Sequence, residues 1–203
     1  MGNRRRVTCT TALIVINVIV FFVLSFGGMT EDGMYMLEHG AMFTPNFIVY
    51  KEYYRIFTCM FLHFGFNHLV NNMLTLYIMG RNLEPVIGKV YFILIYLLSG
   101  IGGNVLTLAA ELYTGDFAIS AGASGAIFGL TGALLCLTIL NRGRIAGVTK
   151  QGIMIMIAMN LYNGFTSRNV GNLAHIGGLL TGFILVLILC PYRYIKRRAH
   201  SGR

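Results

Sequence analysis

Charge is what this 203-residue sequence has least of. Asp, Glu, Lys and Arg together make up 11% of it, against roughly 25% in a soluble domain. With 56% hydrophobic residues and a mean hydropathy of +0.68, the chain is too apolar for water and belongs in a membrane. Aspartate is scarcer still: Asp32 and Asp116 are the only two, and both fall between apolar runs. The pair of membrane-embedded aspartates that aspartyl proteolysis in a bilayer requires is therefore absent. The four cysteines, Cys9, Cys59, Cys136 and Cys190, include no C-x-x-C, and no H-x-x-x-H or H-E-x-x-H occurs. Neither a metal site nor a cofactor is expected. No repeat, low-complexity tract or linker divides the chain, so residues 1–203 read as one domain. The repeated, broken helices of a transporter are missing too.

What is present is a series of apolar runs. The first, 7–26, follows Arg4-Arg5-Arg6; it is long enough to span and lacks a convincing small-residue cleavage site, so it reads as a retained helix rather than a signal peptide. A polar outer segment, 29–55, comes next. Five further runs follow at 57–79, 90–110, 117–140, 147–161 and 173–189. Each approaches the ~20 residues that cross a bilayer core, giving an all-α membrane protein of six transmembrane helices. The net charge of +9 does not point to nucleic acid, because the basic residues sit in short clusters between apolar runs. With the N-terminus inside, 13 of the 16 basic residues lie on inner segments, leaving Lys51, Arg55 and Arg168 outside. Six of the seven acids lie outside, Glu84 being the exception. By the positive-inside rule both termini are cytoplasmic. Three cysteines then fall toward the cytoplasm and only Cys59 toward the outside, so no disulfide is expected.

This topology gives the polar residues a common depth. The second, fourth and sixth helices all run inward, with His68 and Asn72, Ser124, and His175 near their respective starts. Each residue alone has an ordinary packing role: Ser124 as a small residue bonded to its own helix, His175 and Asn72 as interhelical partners. Together, in the outer part of the bilayer, they suggest chemistry, since buried polar groups in lipid are costly and face a bundle interior or a wet cavity. A hydroxyl and an imidazole at one depth suit a nucleophile and its base. His68 and Asn72, four residues apart, share a helix face and could donate jointly to one oxyanion. Ser124 at a helix start adds unpaired backbone N–H groups. Gly125-x3-Gly129 and Gly178-x3-Gly182 are small-x3-small patterns that let helix backbones approach closely.

The motifs resemble those of the rhomboid family of intramembrane serine proteases. Gly122-Ala123-Ser124-Gly125 is similar to its G-x-S-G motif and Ala174-His175-Ile176-Gly177-Gly178 to its A-H-x-G-G motif. The stretch from His63 through His68 to Asn72 resembles its H-x4-H-x3-N signature. A turn at Gly80-Arg81-Asn82-Leu83-Glu84, with Gly88, resembles the cytoplasmic end of the family's second helix. The likeness runs from about Tyr53 to Leu189. It implies a six-helix rhomboid-like bundle with a Ser124–His175 dyad and no acidic third member. His68, Asn72 and the Ser124 N–H would line the oxyanion hole. Gly122, Gly125, Phe128 and Gly178 would support the site, Phe128 by stacking on His175 where many relatives carry tyrosine. Tyr54-Arg55 stands where relatives often have Trp-Arg.

The resemblance further implies cleavage of transmembrane segments of membrane proteins, through an acyl-enzyme, at a site on the outer side of a bacterial-type plasma membrane. Oligomeric state is left open. The aromatic-rich outer segment reads either as an interfacial belt or as the family's first-loop support for the site. The fifth helix, with Met154, Met156 and Met159, resembles a mobile helix beside which substrates enter, though methionines are also ordinary filling. The alternative is a non-proteolytic rhomboid-like scaffold that binds membrane clients.

Overall fold

The computed structural model describes residues 7–145, 147–166 and 171–190. The basic residues Arg4–Arg6, Arg168, Arg193, Lys196, Arg197, Arg198 and Arg203, on which much of the charge asymmetry rests, lie outside them. In chain order the described elements are α1 (Thr8–Gly27), α2 (Gly33–Glu38), α3 (Thr44–Val49), α4 (Arg55–Thr58), a 3-10 turn (Cys59–Phe61), α5 (Phe66–Ile87), α6 (Lys89–Thr114) and α7 (Ser124–Leu140). A two-stranded hairpin, β1 (Arg144–Ile145) and β2 (Val148–Thr149), precedes α8 (Lys150–Thr166) and α9 (Asn172–Leu189). Among the described residues the regular structure is helical apart from this hairpin and an isolated bridge between Met42 and Ser120. By length and composition α1, α6 and α9 can each cross a membrane, while α7 is apolar but only 17 residues long.

Hydropathy misplaces two helix starts. The run 57–79 is not one helix, because Leu62 is extended and Gly65 has φ +78°. α5 begins only at Phe66 and continues to Ile87. The expected turn at 80–84 is therefore helical, and Gly88 at φ +85° ends α5 and opens α6. Polar Arg81 and Asn82 are tolerated there on outward-facing positions, whereas Glu84 is buried and partnered. Likewise 117–123 is not helical: it is held extended by the bridge to Met42, and α7 begins at Ser124. Both breaks depend on backbone conformations that apolarity does not report.

α7 is the central helix, with every residue from Gly125 to Leu134 buried; a helix apolar all round is a buried one. Its closest neighbours are α9 and α6, which also pack on each other, while α1 lies against α5 and α8 touches α7 but hardly α9. Glycines set these spacings. A methyl group at Gly178 would collide with the Gly125 carbonyl, and one at Gly182 with the Gly129 carbonyl. The two small-x3-small patterns thus meet each other. The outer faces of α1 (Ile16, Ile19, Phe22, Val23) and α9 (Leu180, Ile184, Leu187, Ile188) are exposed and apolar. Such surfaces suit lipid, and the protein is integral to a membrane.

Glu84 joins α5 to α1. Its carboxylate accepts from the N–H groups of Cys9 (3.0 Å) and Thr10 (2.9 Å) and from the Thr10 hydroxyl (2.7 Å). The first-turn N–H groups of α1 lack partners in their own helix, so Glu84 caps α1 from another helix and its negative charge lies at the positive end of the helix dipole. Glu84→Ala leaves these buried donors unpaired and is expected to destabilise the folded protein by about 2–4 kcal/mol. Unfolding in mixed micelles measures it.

Candidate active site

The site is assembled on the chain that leads into α7. Ser120 exchanges two backbone hydrogen bonds with Met42, each 2.9 Å, and the Gly122 N–H donates to the Cys59 carbonyl at 2.9 Å. Gly122 has φ +142°, a conformation few other residues adopt. Ala123 then turns into the helix, and Ser124 is its first residue, half-buried. At that position the Ser124 N–H has no partner in its own helix and is available to an anion.

One wall comes from α5. A methyl group on Gly122 would lie 2.9 Å from His68 Cε1, 3.0 Å from His68 Nε2 and 3.7 Å from Asn72 Nδ2. Both side chains therefore reach the backbone two residues before Ser124, as their spacing on one helix face requires. Asn72 is buried and its Nδ2 has no hydrogen-bond partner among the described residues. That leaves a free donor beside the serine. His68 also meets His63 edge-to-face, with ring centroids 5.2 Å apart, and His63 is 1% exposed.

The opposite wall comes from α9. Gly125, next to Ser124, packs against the Ala174 carbonyl, next to His175. The His175 ring lies flat on Phe128, one turn after the serine, with centroids 4.2 Å apart and planes 5° from parallel. His175 is buried and its Nδ1 has no partner among the described residues. The stack, not a carboxylate, orients this imidazole. Ser124 and His175 are thus on adjoining faces of two helices in backbone contact, and among the described residues no hydrogen bond yet joins them. Such bonds often tighten only when substrate is bound. The two aspartates are elsewhere: Asp32 caps α2 by accepting from the Tyr35 N–H at 2.7 Å, and Asp116 follows α6.

The outer segment is an ordered buttress. Arg55, 4% exposed, donates to the Leu37 carbonyl (2.6 Å), the Ala41 carbonyl (2.8 Å) and Glu52 (2.6 Å). Arg55, and after it Asn46, hold the Glu52 carboxyl below its ordinary pKa. Glu111, at the end of α6, accepts from the Thr44 hydroxyl and the Ala118 N–H. These contacts fix Met42 against Ser120. Several aromatics of the segment, Tyr50, Tyr53 and Tyr54, nevertheless remain exposed, so it combines support with an interfacial rim. On α8, Met154 and Met159 are exposed while Met156 lines a narrow cleft between α5, α7 and α8 that also touches Phe128 and Thr75.

The sequence offered no cue to Cys59 or Met42, which meet Gly122 and Ser120 through backbone hydrogen bonds spanning long stretches of chain; only the fold brings them there.

Comparison with known proteins follows the same stretch of chain. A family model described as "Rhomboid domain" matches residues 50–192. The chain is 36% identical over 182 residues to "Rhomboid protease GluP" of Bacillus subtilis, covering 90% of this chain and 35% of that protein. It is 44% identical over 169 residues to "RHOMBOID-like protein 2" of Arabidopsis thaliana, covering 81% of this chain and 52% of the relative. With YdcA of Bacillus subtilis the identity is 36% over 146 residues, 72% of this chain and 71% of the relative. The chain thus spans about a third to a half of the length of the first two.

Proposed function

The chain belongs to the rhomboid family, and on that premise we propose that it is a serine-type intramembrane endopeptidase that cleaves transmembrane segments of membrane proteins through Ser124 and His175. One observation carries the reading: the Gly122–Gly125 backbone is flanked by His68 and Asn72 on one side and by the Ala174–His175 turn on the other. In this reaction the His175 imidazole takes the Ser124 proton as the hydroxyl oxygen attacks the scissile carbonyl. The Ser124 N–H, His68 and Asn72 donate to the oxyanion, each good donor contributing roughly 3–4 kcal/mol to the transition state. The tetrahedral intermediate collapses as His175 returns the proton to the leaving amine. Water, deprotonated by the same imidazole, then hydrolyses the ester to Ser124 and frees the acid. Phe128 keeps the ring in one plane throughout.

The topology that fits this role has residues 1–203 as a single domain, with α1, α5, α6, α7, α8 and α9 as six spans and both termini cytoplasmic. It puts the site in the outer part of a bacterial-type plasma membrane. The narrow cleft between α5, α7 and α8 reaches Phe128, one turn after Ser124, and does not include the serine itself. A client-binding scaffold without proteolysis would not need an unpaired donor, a stacked imidazole and a serine around one backbone turn.

A fluorophosphonate probe tests the assignment. The folded wild-type protein is expected to be labelled at Ser124, and His175→Ala to slow labelling by ~10²–10⁴-fold. Labelling that is absent from the wild type, or undiminished in His175→Ala, sinks the proposal.

A further inference from the structure

We propose that Asn104, on α6, is a positioning residue for the nucleophile. It holds the Ile56–Cys59 junction whose carbonyl anchors Gly122, and so sets the backbone that carries Ser124. The inference rests on the assignment of Ser124 as nucleophile, and its geometry is independent of it. The Asn104 Nδ2 lies 2.8 Å from the Ile56 carbonyl oxygen and 3.0 Å from the Cys59 Sγ, so both protons of the one amide nitrogen are directed at this junction. Cys59 is where α4 gives way to the 3-10 turn. Its carbonyl accepts the Leu62 N–H of that turn at 3.3 Å and, with its second lone pair, the Gly122 N–H at 2.9 Å. Only Ala123 separates Gly122 from Ser124.

Glycine has little torsional preference of its own, so Gly122 at φ +142° takes the conformation its partners impose. Those partners are the Cys59 carbonyl directly and, two residues earlier, the Met42 bridge. Packing alone does not set the direction of the Cys59 peptide. Met60, the next residue, is wedged against Gly100 of α6 and fixes where the junction sits, but a flexible thioether does not orient a neighbouring peptide plane. The amide does. Cys59 is 2% exposed, and in such surroundings a hydrogen bond is strong and an unmet carbonyl is costly. Without the amide the Ile56–Cys59 peptides relax to find other donors, and Gly122 follows. The Ser124 hydroxyl and N–H then shift against His68 and Asn72, whose side chains lie within 4 Å of where a Gly122 methyl would be.

Among the described residues the Asn104 amide bonds Ile56 and Cys59 and not Ser124, so its loss is expected in kcat and not in KM. In the full-length protein, Asn104→Leu keeps the volume and removes the donors. It is expected to lower kcat on a membrane-spanning reporter about 30-fold, as a displacement of under 1 Å at a nucleophile does, with KM within about twofold. Asn104→Gln, which keeps a primary amide, is expected to recover most of that loss. A second readout does not depend on proteolysis: amide hydrogen exchange across residues 119–125 is expected to quicken ~10-fold in Asn104→Leu and to stay near wild type in Asn104→Gln. If Asn104→Leu does not fold, Asn104→Ala is read in the same two ways. Wild-type kcat in a folded donor-less variant, a loss shared equally with KM, or unchanged exchange at 119–125 overturns the inference. A wild-type protein that neither cleaves nor takes the fluorophosphonate would instead overturn the assignment of Ser124, and the exchange measurement would still decide what Asn104 holds.

Discussion

Ser124→Ala is expected to abolish cleavage of a membrane-spanning reporter, by about 10⁵-fold or more, while leaving the fold intact. The two halves of that expectation come from different observations. Activity is lost because alanine has no oxygen to attack a carbonyl, and the remaining groups can polarise a substrate but not form the acyl-enzyme. Stability is kept because Ser124 is half-buried at the first position of α7, and alanine is the best helix former; the change should stay within ~0.5 kcal/mol. Asn72→Ala should cost less, about 10²-fold, since His68 and the Ser124 N–H still donate. Purified proteins in liposomes, with products identified by mass spectrometry, make the comparison. Cleavage that persists in pure Ser124→Ala would remove the serine from the mechanism altogether.

The second large effect is expected at a residue with no chemistry. A methyl group at Gly178 meets the Gly125 carbonyl oxygen, and one at Gly182 meets the carbonyl oxygen, carbon and α-carbon of Gly129. These neighbours are backbone atoms of the central helix and cannot rotate aside as a side chain would. Gly178→Ala must therefore push α9 away from α7. Overpacking of this kind costs roughly 1–3 kcal/mol. The functional loss should be larger than the stability loss suggests, because the same displacement carries His175 away from Ser124; a drop of about 10²-fold in kcat/KM is expected. Gly33→Ala is the control: its methyl would find only Ile119 Cδ1 at 3.6 Å, an ordinary contact, and neither melting nor turnover should change. Thermal unfolding and reporter cleavage of the two variants, measured together, give the test. An active and stable Gly178→Ala would mean the helices are not as close as the glycines place them.

Much of this was legible in the residues themselves. Scarce charge and long apolar runs determined an integral membrane protein, because no soluble core can hide that much apolar surface. The order and spacing of the Ser124, His175 and His68–Asn72 motifs singled out the candidate site. The glycine pairs announced a close helix contact, since a small residue every fourth position leaves a groove on one face whatever the partner is.

Tertiary structure decided the rest. Apolarity alone ran the second helix from 57, whereas Gly65 starts it at Phe66; the fourth likewise begins at Ser124, because Met42 and Cys59 hold the preceding backbone extended. Glu84 looked like a stray inner acid and is the cap of α1, 74 residues away from Thr10. Asn104, inside the apolar run 90–110, meets Ile56 across 48 residues. Periodicity reports which face of an element is apolar, and it does so locally. A hydrogen bond between distant segments depends on where two chains arrive and how their donors are aimed, and the folded packing of α5, α6, α7 and α9 is the first level at which either is defined.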